Sequence, residues 1–164
     1  MDLKSYHSIF IFRRDLRLDD NIGLINAMNS SSKVLPIFIF NKNQISPESN
    51  KFHSQKCVDF MIGSLLDLNK QLKSKGANLH FFYSDSETKI LKKIVKSDPK
   101  IKAIHVNMDY TPFSTKRDSQ IKDMCDELKI QFVSTEDSLL LPINSVVSGS
   151  GSYYKKFTPF YMAA

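Results

Sequence analysis

"IFIFRRDLRLDDNIGLINAM", residues 9–28, runs from four consecutive apolar residues through a charged turn into a segment with helical spacing. A run as short and apolar as Ile9–Phe12 suits a strand buried on both faces, which is how parallel sheets are built. Ile22, Leu24, Ile25 and Met28 predict a helix after the turn, with Asp19 or Asp20 as its N-cap. The turn is unusual in composition. Three of the four arginines, Arg13, Arg14 and Arg17, fall within five positions of a chain whose other cations are almost all lysine. Such clustering points to a need for the planar, multi-donor guanidinium, which lysine cannot imitate.

Further along the chain the same alternation repeats. Val34–Phe40, Leu79–Tyr83, Ala103–Val106 and Gln131–Val133 read as four more strands. Val58, Met61, Leu65, Leu68 and Leu72 form one helical stripe closed by Lys75-Gly76, while Ile90, Leu91, Ile94 and Val95 form a second stripe, entered through Asp85-Ser86. Ile121, Met124, Cys125 and Leu128 form a third. Strands alternating with amphipathic helices predict an α/β fold: a Rossmann-like, doubly wound, five-stranded parallel sheet with helices on both faces. Residues 1–145 make up this domain, and 146–164, which include Ser148-Gly149-Ser150-Gly151-Ser152, read as a loop and the start of a linker.

Composition narrows the function classes. At 164 residues and 41% hydrophobic content the chain supports one core. The net charge of +6 is spread over lysines on the polar helix faces, a pattern that suits a solvated surface better than a nucleic-acid footprint. Cys57 and Cys125 lack metal-ligand or C-x-x-C spacing, so neither a metal site nor a disulfide framework is expected. The polar opening and short apolar runs predict no leader and no membrane span, hence an intracellular protein, cytoplasmic or nuclear.

In an open parallel sheet, ligands sit beyond the carboxyl ends of the strands where the strand order reverses. Arg13, Arg14, Asn41, Asn107 and Asp109 lie at that edge. The dinucleotide fingerprint G-x-G-x-x-G is absent, so side chains rather than a glycine-rich loop must supply the contacts. Arg17, Asp20 and Asn21 read as a capping and ion-pair cluster, whereas Arg13 and Arg14 stand open between that role and ligand contact. His105, inside a strand, reads as a hydrogen-bonded core residue.

"FRRDLRLDDN" followed by Gly23-Leu24 resembles the first-strand signature of the DNA photolyase and cryptochrome family, and "YYKKFTPFY" (153–161), with Phe157 and Phe160, resembles the segment closing the N-terminal domain in its microbial photolyase branch. "NMDYTPFSTKRD" (107–118) looks like the family's loop after strand four, in which an Arg-Asp pair, here Arg117-Asp118, opens the next helix. All four arginines thus fall where the family motifs have them.

The resemblance implies an N-terminal domain that holds a light-harvesting antenna chromophore, joined to a helical domain that holds FAD. Energy from the antenna reaches reduced flavin, which donates an electron to a pyrimidine dimer flipped out of UV-damaged DNA. This chain has no tryptophan for the electron relay and no second domain, so no catalytic residue is assigned to it and it is expected to be inactive alone, as a monomer. The helical FAD domain would be supplied in cis or as a split partner.

For the antenna, the resemblance is mixed. Folate-binding relatives share an Asn-Glu pair where this chain has Phe113 and Ser114, and deazaflavin-binding relatives tend to carry Asp-x-Glu where it has Asp109 and Thr111. A flavin or deazaflavin is therefore favoured over folate, with an empty site as the alternative. A signalling cryptochrome shares the fold. A receiver-type regulatory domain is a rival on the strength of Asp85 and Asp19-Asp20, but the acidic pair lies too far past its strand and no lysine follows strand five.

Overall fold

The computed structural model describes residues 6–164; Met1–Ser5, part of the polar opening read above, lie outside them. The elements run β1 (His7–Phe12), α1 (Ile22–Ser30), β2 (Lys33–Asn41), α2 (Lys42–Ile45), α3 (Gln55–Ser74), β3 (His80–Ser84), α4 (Glu87–Ser97), β4 (Ile101–Asn107), α5 (Pro112–Leu128), β5 (Gln131–Thr135) and α6 (Phe157–Ala163). The five strands expected from sequence pair in parallel in the order β3-β2-β1-β4-β5. Short α2 and terminal α6 were not expected.

Strand order dictates where the helices lie. The chain moves outward from β1 to β3, then crosses back to β4 and on to β5, so right-handed crossovers put α1 and α3 on one face and α4 and α5 on the other. The β1 sequence alternates to match. Ile9 and Ile11 join Ile37, Ile39, Leu91, Val95 and Ile121 in one core. Phe10 and Phe12 join Phe38, Leu24, Leu65, Leu68 and Leu72 in the other. Small side chains thus face α4 and α5, and large rings fill the space under α1 and α3.

Helix α1 departs from expectation in its cap and its buried face. Asp20 is no N-cap: its φ of 53° is left-handed, whereas the true cap, Asn21, is extended and accepts the Leu24 N–H through its side chain. An amide also donates, which a carboxylate cannot, and Asn21 needs both functions. The buried residues are Gly23, Leu24 and Ala27, while Ile22, Ile25 and Met28 are exposed. Small residues four apart let the helix sit close to the sheet, and that approach turns the larger side chains outward.

His105 is buried at 3% exposure, as expected of a core residue. The expected hydrogen bond is missing: neither ring nitrogen has a partner. Its neighbours across the sheet, Phe10 and Val133, offer no side-chain acceptor. Burial holds its pKa below the ordinary value, so the unfolded chain takes up the proton first as pH falls. The contribution of neutral His105 to stability is complete above about pH 6.5 and is lost as pH drops from there toward the lower folded-state value. His105→Phe is expected to flatten the fall in urea midpoint between about pH 7 and 5; an unchanged slope would assign the acid sensitivity to other groups.

Candidate functional site

The charged turn after β1 folds into a set of locks that joins distant parts of the chain. Asn107, at the end of β4, accepts the Gly23 N–H at 3.0 Å and donates to the Asp15 carboxylate at 2.6 Å and to Asn21 Oδ1 at 2.8 Å. Asn21 donates to the Arg17 carbonyl at 3.1 Å. Arg17 grips the Asp20 carbonyl and the Asp137 carboxylate, each at 2.7 Å. Asp137 in turn accepts the Ile22 N–H at 2.9 Å, so a residue beyond β5 helps cap α1.

On the other side of the β1 tip lies a buried ionic cluster. Arg13 pairs with Asp118 through two contacts, at 2.7 and 3.0 Å, and Arg117 Nε donates to the same carboxylate at 3.1 Å. Glu87, the first residue of α4, stands 3.9 Å from Arg13 and 3.8 Å from Arg117. Two guanidiniums and two carboxylates balance in charge. Burial and the like charge of Arg117 draw the Arg13 pKa down against the pull of Asp118 and Glu87. Burial raises that of Glu87 against both arginines. Four atoms of the cluster have no hydrogen-bond partner: Arg13 Nε and Nη2, Arg117 Nη2 and Glu87 Oε2. The pair Arg117-Asp118 does not open the helix, as the sequence suggested. Helix α5 starts at Pro112, with Thr111 as N-cap, and the pair sits in its second turn.

A cavity of about 360 Å³ opens between these tips, walled by Phe12, Phe38, Met61 and Phe113 and edged by Arg14, Asp109 and the ionic cluster. Arg14 is largely exposed, with its Nε 3.5 Å from Asp109. Burial opposes ionisation of Asp109, but the Thr111 N–H, the Ser114 hydroxyl and Arg14 together hold its pKa below the ordinary value. Five of the seven residues expected to contact an antenna line this cavity, Arg13, Arg14, Asp109, Phe113 and Ser114, together with the motif residue Arg117. Asn107 lines a neighbouring cavity of about 470 Å³ with Arg17 and Asp137. Asn41 caps α2 through the Asn43 N–H and faces a third, of about 380 Å³. Phe157 and Phe160 lie apart, on α6, beside an apolar cavity of about 560 Å³.

Glu87, Gln44 and Met61 line the main cavity without having been expected there. Met61 was legible as a member of the α3 stripe. Glu87 carried no signal beyond its place after Asp85-Ser86, because what marks it is its pairing with residues far away in sequence.

The family model for DNA photolyase matches residues 8–164. The chain belongs to the DNA photolyase family. Its fold is that of photolyase N-terminal domains. A photolyase from Sulfolobus tokodaii, an archaeal enzyme solved with two FAD molecules and implicating a novel light-harvesting cofactor, is 42% identical with a TM-score of 0.79, covering 95% of this chain and 34% of that one. The class III photolyase of Agrobacterium tumefaciens is 25% identical with a TM-score of 0.80, covering 99% of this chain and 32% of that one. The deoxyribodipyrimidine photolyase of a Synechococcus strain is 29% identical over 93% of this chain and 31% of that protein. Cryptochromes are related as well. The chain thus spans about a third of the length of these photolyase relatives, and among its described residues no helix is long and apolar enough to cross a membrane.

Proposed function

We propose that this chain is the antenna domain of a DNA photolyase and that the cavity edged by Arg14 and Asp109 binds a flavin or deazaflavin. The observation that carries the reading is the cavity itself. It lies beyond the carboxyl ends of β1, β2 and β4, walled by aromatic rings and edged by charge, which suits a planar ring with a polar border. The unpartnered buried atoms beside it fit such a ring, because they are hydrogen-bonding capacity that the protein alone leaves unused. The two FAD molecules of the Sulfolobus enzyme support a flavin over a folate. When bound, the chromophore would supply light absorption and pass its excitation onward.

In this proposal residues 1–145 form the antenna domain, and 146–164 lead toward a helical domain that holds the catalytic FAD and the dimer pocket. UV-damaged DNA would be engaged by the whole protein, and this chain alone would not repair it. A cryptochrome role is the second reading, favoured by the kinship with cryptochromes. Dimer repair by a protein that includes the helical domain would separate the two.

Titrating the chain with FAD, FMN, a deazaflavin and a reduced folate by fluorescence tests the site. Asp109→Ala is expected to weaken flavin binding about ten- to hundredfold, the worth of one charge-assisted hydrogen bond. The more exposed Arg14→Ala should weaken it about tenfold or less. Neither residue belongs to the locks around Asn107 or Asp118, so both variants should keep the fold. Tight folate binding indifferent to both substitutions would place the site elsewhere.

A further inference from the structure

We infer that Glu87 is a chromophore-binding residue whose Oε2 accepts the imide N–H of a flavin or deazaflavin ring. The inference rests on the reading of the cavity as a flavin site and names the group that recognises the ring.

Three facts about this corner of the cavity carry it. Glu87, Arg13 and Arg117 all line the cavity. The Glu87 carboxylate stands between the two guanidiniums at 3.9 and 3.8 Å, too far for hydrogen bonds. Each of the three side chains also keeps buried atoms with no hydrogen-bond partner: Glu87 Oε2, Arg13 Nε and Nη2, and Arg117 Nη2. The corner therefore offers one acceptor among several donors.

The imide edge of a flavin or deazaflavin presents the complement: carbonyl, N–H, carbonyl. The unpartnered atoms are buried, out of contact with water. Binding must therefore rotate Glu87 toward the ring, and the two long ion pairs are what that rotation gives up.

The test compares FMN with N3-methyl FMN on the full chain by fluorescence titration. The unmodified protein is expected to bind FMN about tenfold more tightly than N3-methyl FMN, the loss of one hydrogen bond to a charged acceptor. In Glu87→Leu that preference should vanish while circular dichroism stays that of the folded chain. The ligand comparison on the unmodified protein decides the matter even if that variant does not fold. Equal affinity of the unmodified protein for FMN and N3-methyl FMN would overturn the role of Glu87 and leave the flavin site standing. So would a Glu87→Leu variant that loses affinity for both flavins alike, since that is the mark of a structural residue. Failure to bind any flavin would overturn the site and the inference together.

Discussion

Asp118→Ala is expected to destabilise the protein by about 3–5 kcal/mol, the cost of removing one partner from a buried ion pair. Asp118 holds Arg13 by two contacts and Arg117 by a third. The three side chains are each less than 15% exposed. Without it, two buried cations face each other across Glu87, whose own contacts lie at 3.8 and 3.9 Å and whose ionisation burial already opposes. Since a domain of this size is stable by only about 5–15 kcal/mol, the variant should lie near the edge of folding. Urea unfolding followed by circular dichroism measures this. A loss under about 1 kcal/mol would show that the cluster behaves as a surface ion pair.

Gly23→Ala should cost about 1–3 kcal/mol or somewhat more, although alanine favours helices over glycine. A Cβ at this position would stand 2.2 Å from Asn107 Oδ1 and 3.1 Å from the Phe10 ring. To admit it, either α1 lifts off the sheet or Asn107 swings away from Gly23, Asp15 and Asn21, leaving their buried polar groups unpaired. The signature of this mechanism is non-additivity. Asn107→Ala should itself be destabilising, yet adding Gly23→Ala to it should cost far less than in the unmodified chain, because the clashing atom is gone. Additive losses in the double variant would show that the glycine is needed for some reason other than the close approach.

The charged turn stands out in the sequence by its composition, but its partners do not. Guanidiniums at 13 and 17 were needed, but largely for architecture: Arg13 for the cluster at Asp118 and Arg17 for the lock at Asp137. Only Arg14 extends freely to the cavity edge. The reading of Arg17, Asp20 and Asn21 as a capping cluster anticipated the kind of role without the partners. The α1 stripe misled for a related reason, since periodicity finds large apolar residues and the sheet selected small ones.

The chain's own sequence determined the order and type of its main elements, because strand and helix are written in spacings of two and of three to four, between neighbours. It determined the two faces of the sheet as well, in the alternation of isoleucine with phenylalanine along β1 and β2. Tertiary structure alone decided which charged groups meet. Arg13 and Asp118 are 105 positions apart, Asp15 and Asn107 are 92 apart, and Arg17 and Asp137 are 120 apart. Such pairs leave no periodic trace, since what joins them is the crossover that sets β4 beside β1 and brings the tips of α4, α5 and the β5 loop to one edge. Glu87 could be recognised only there, as a carboxylate whose free oxygen is a property of its surroundings.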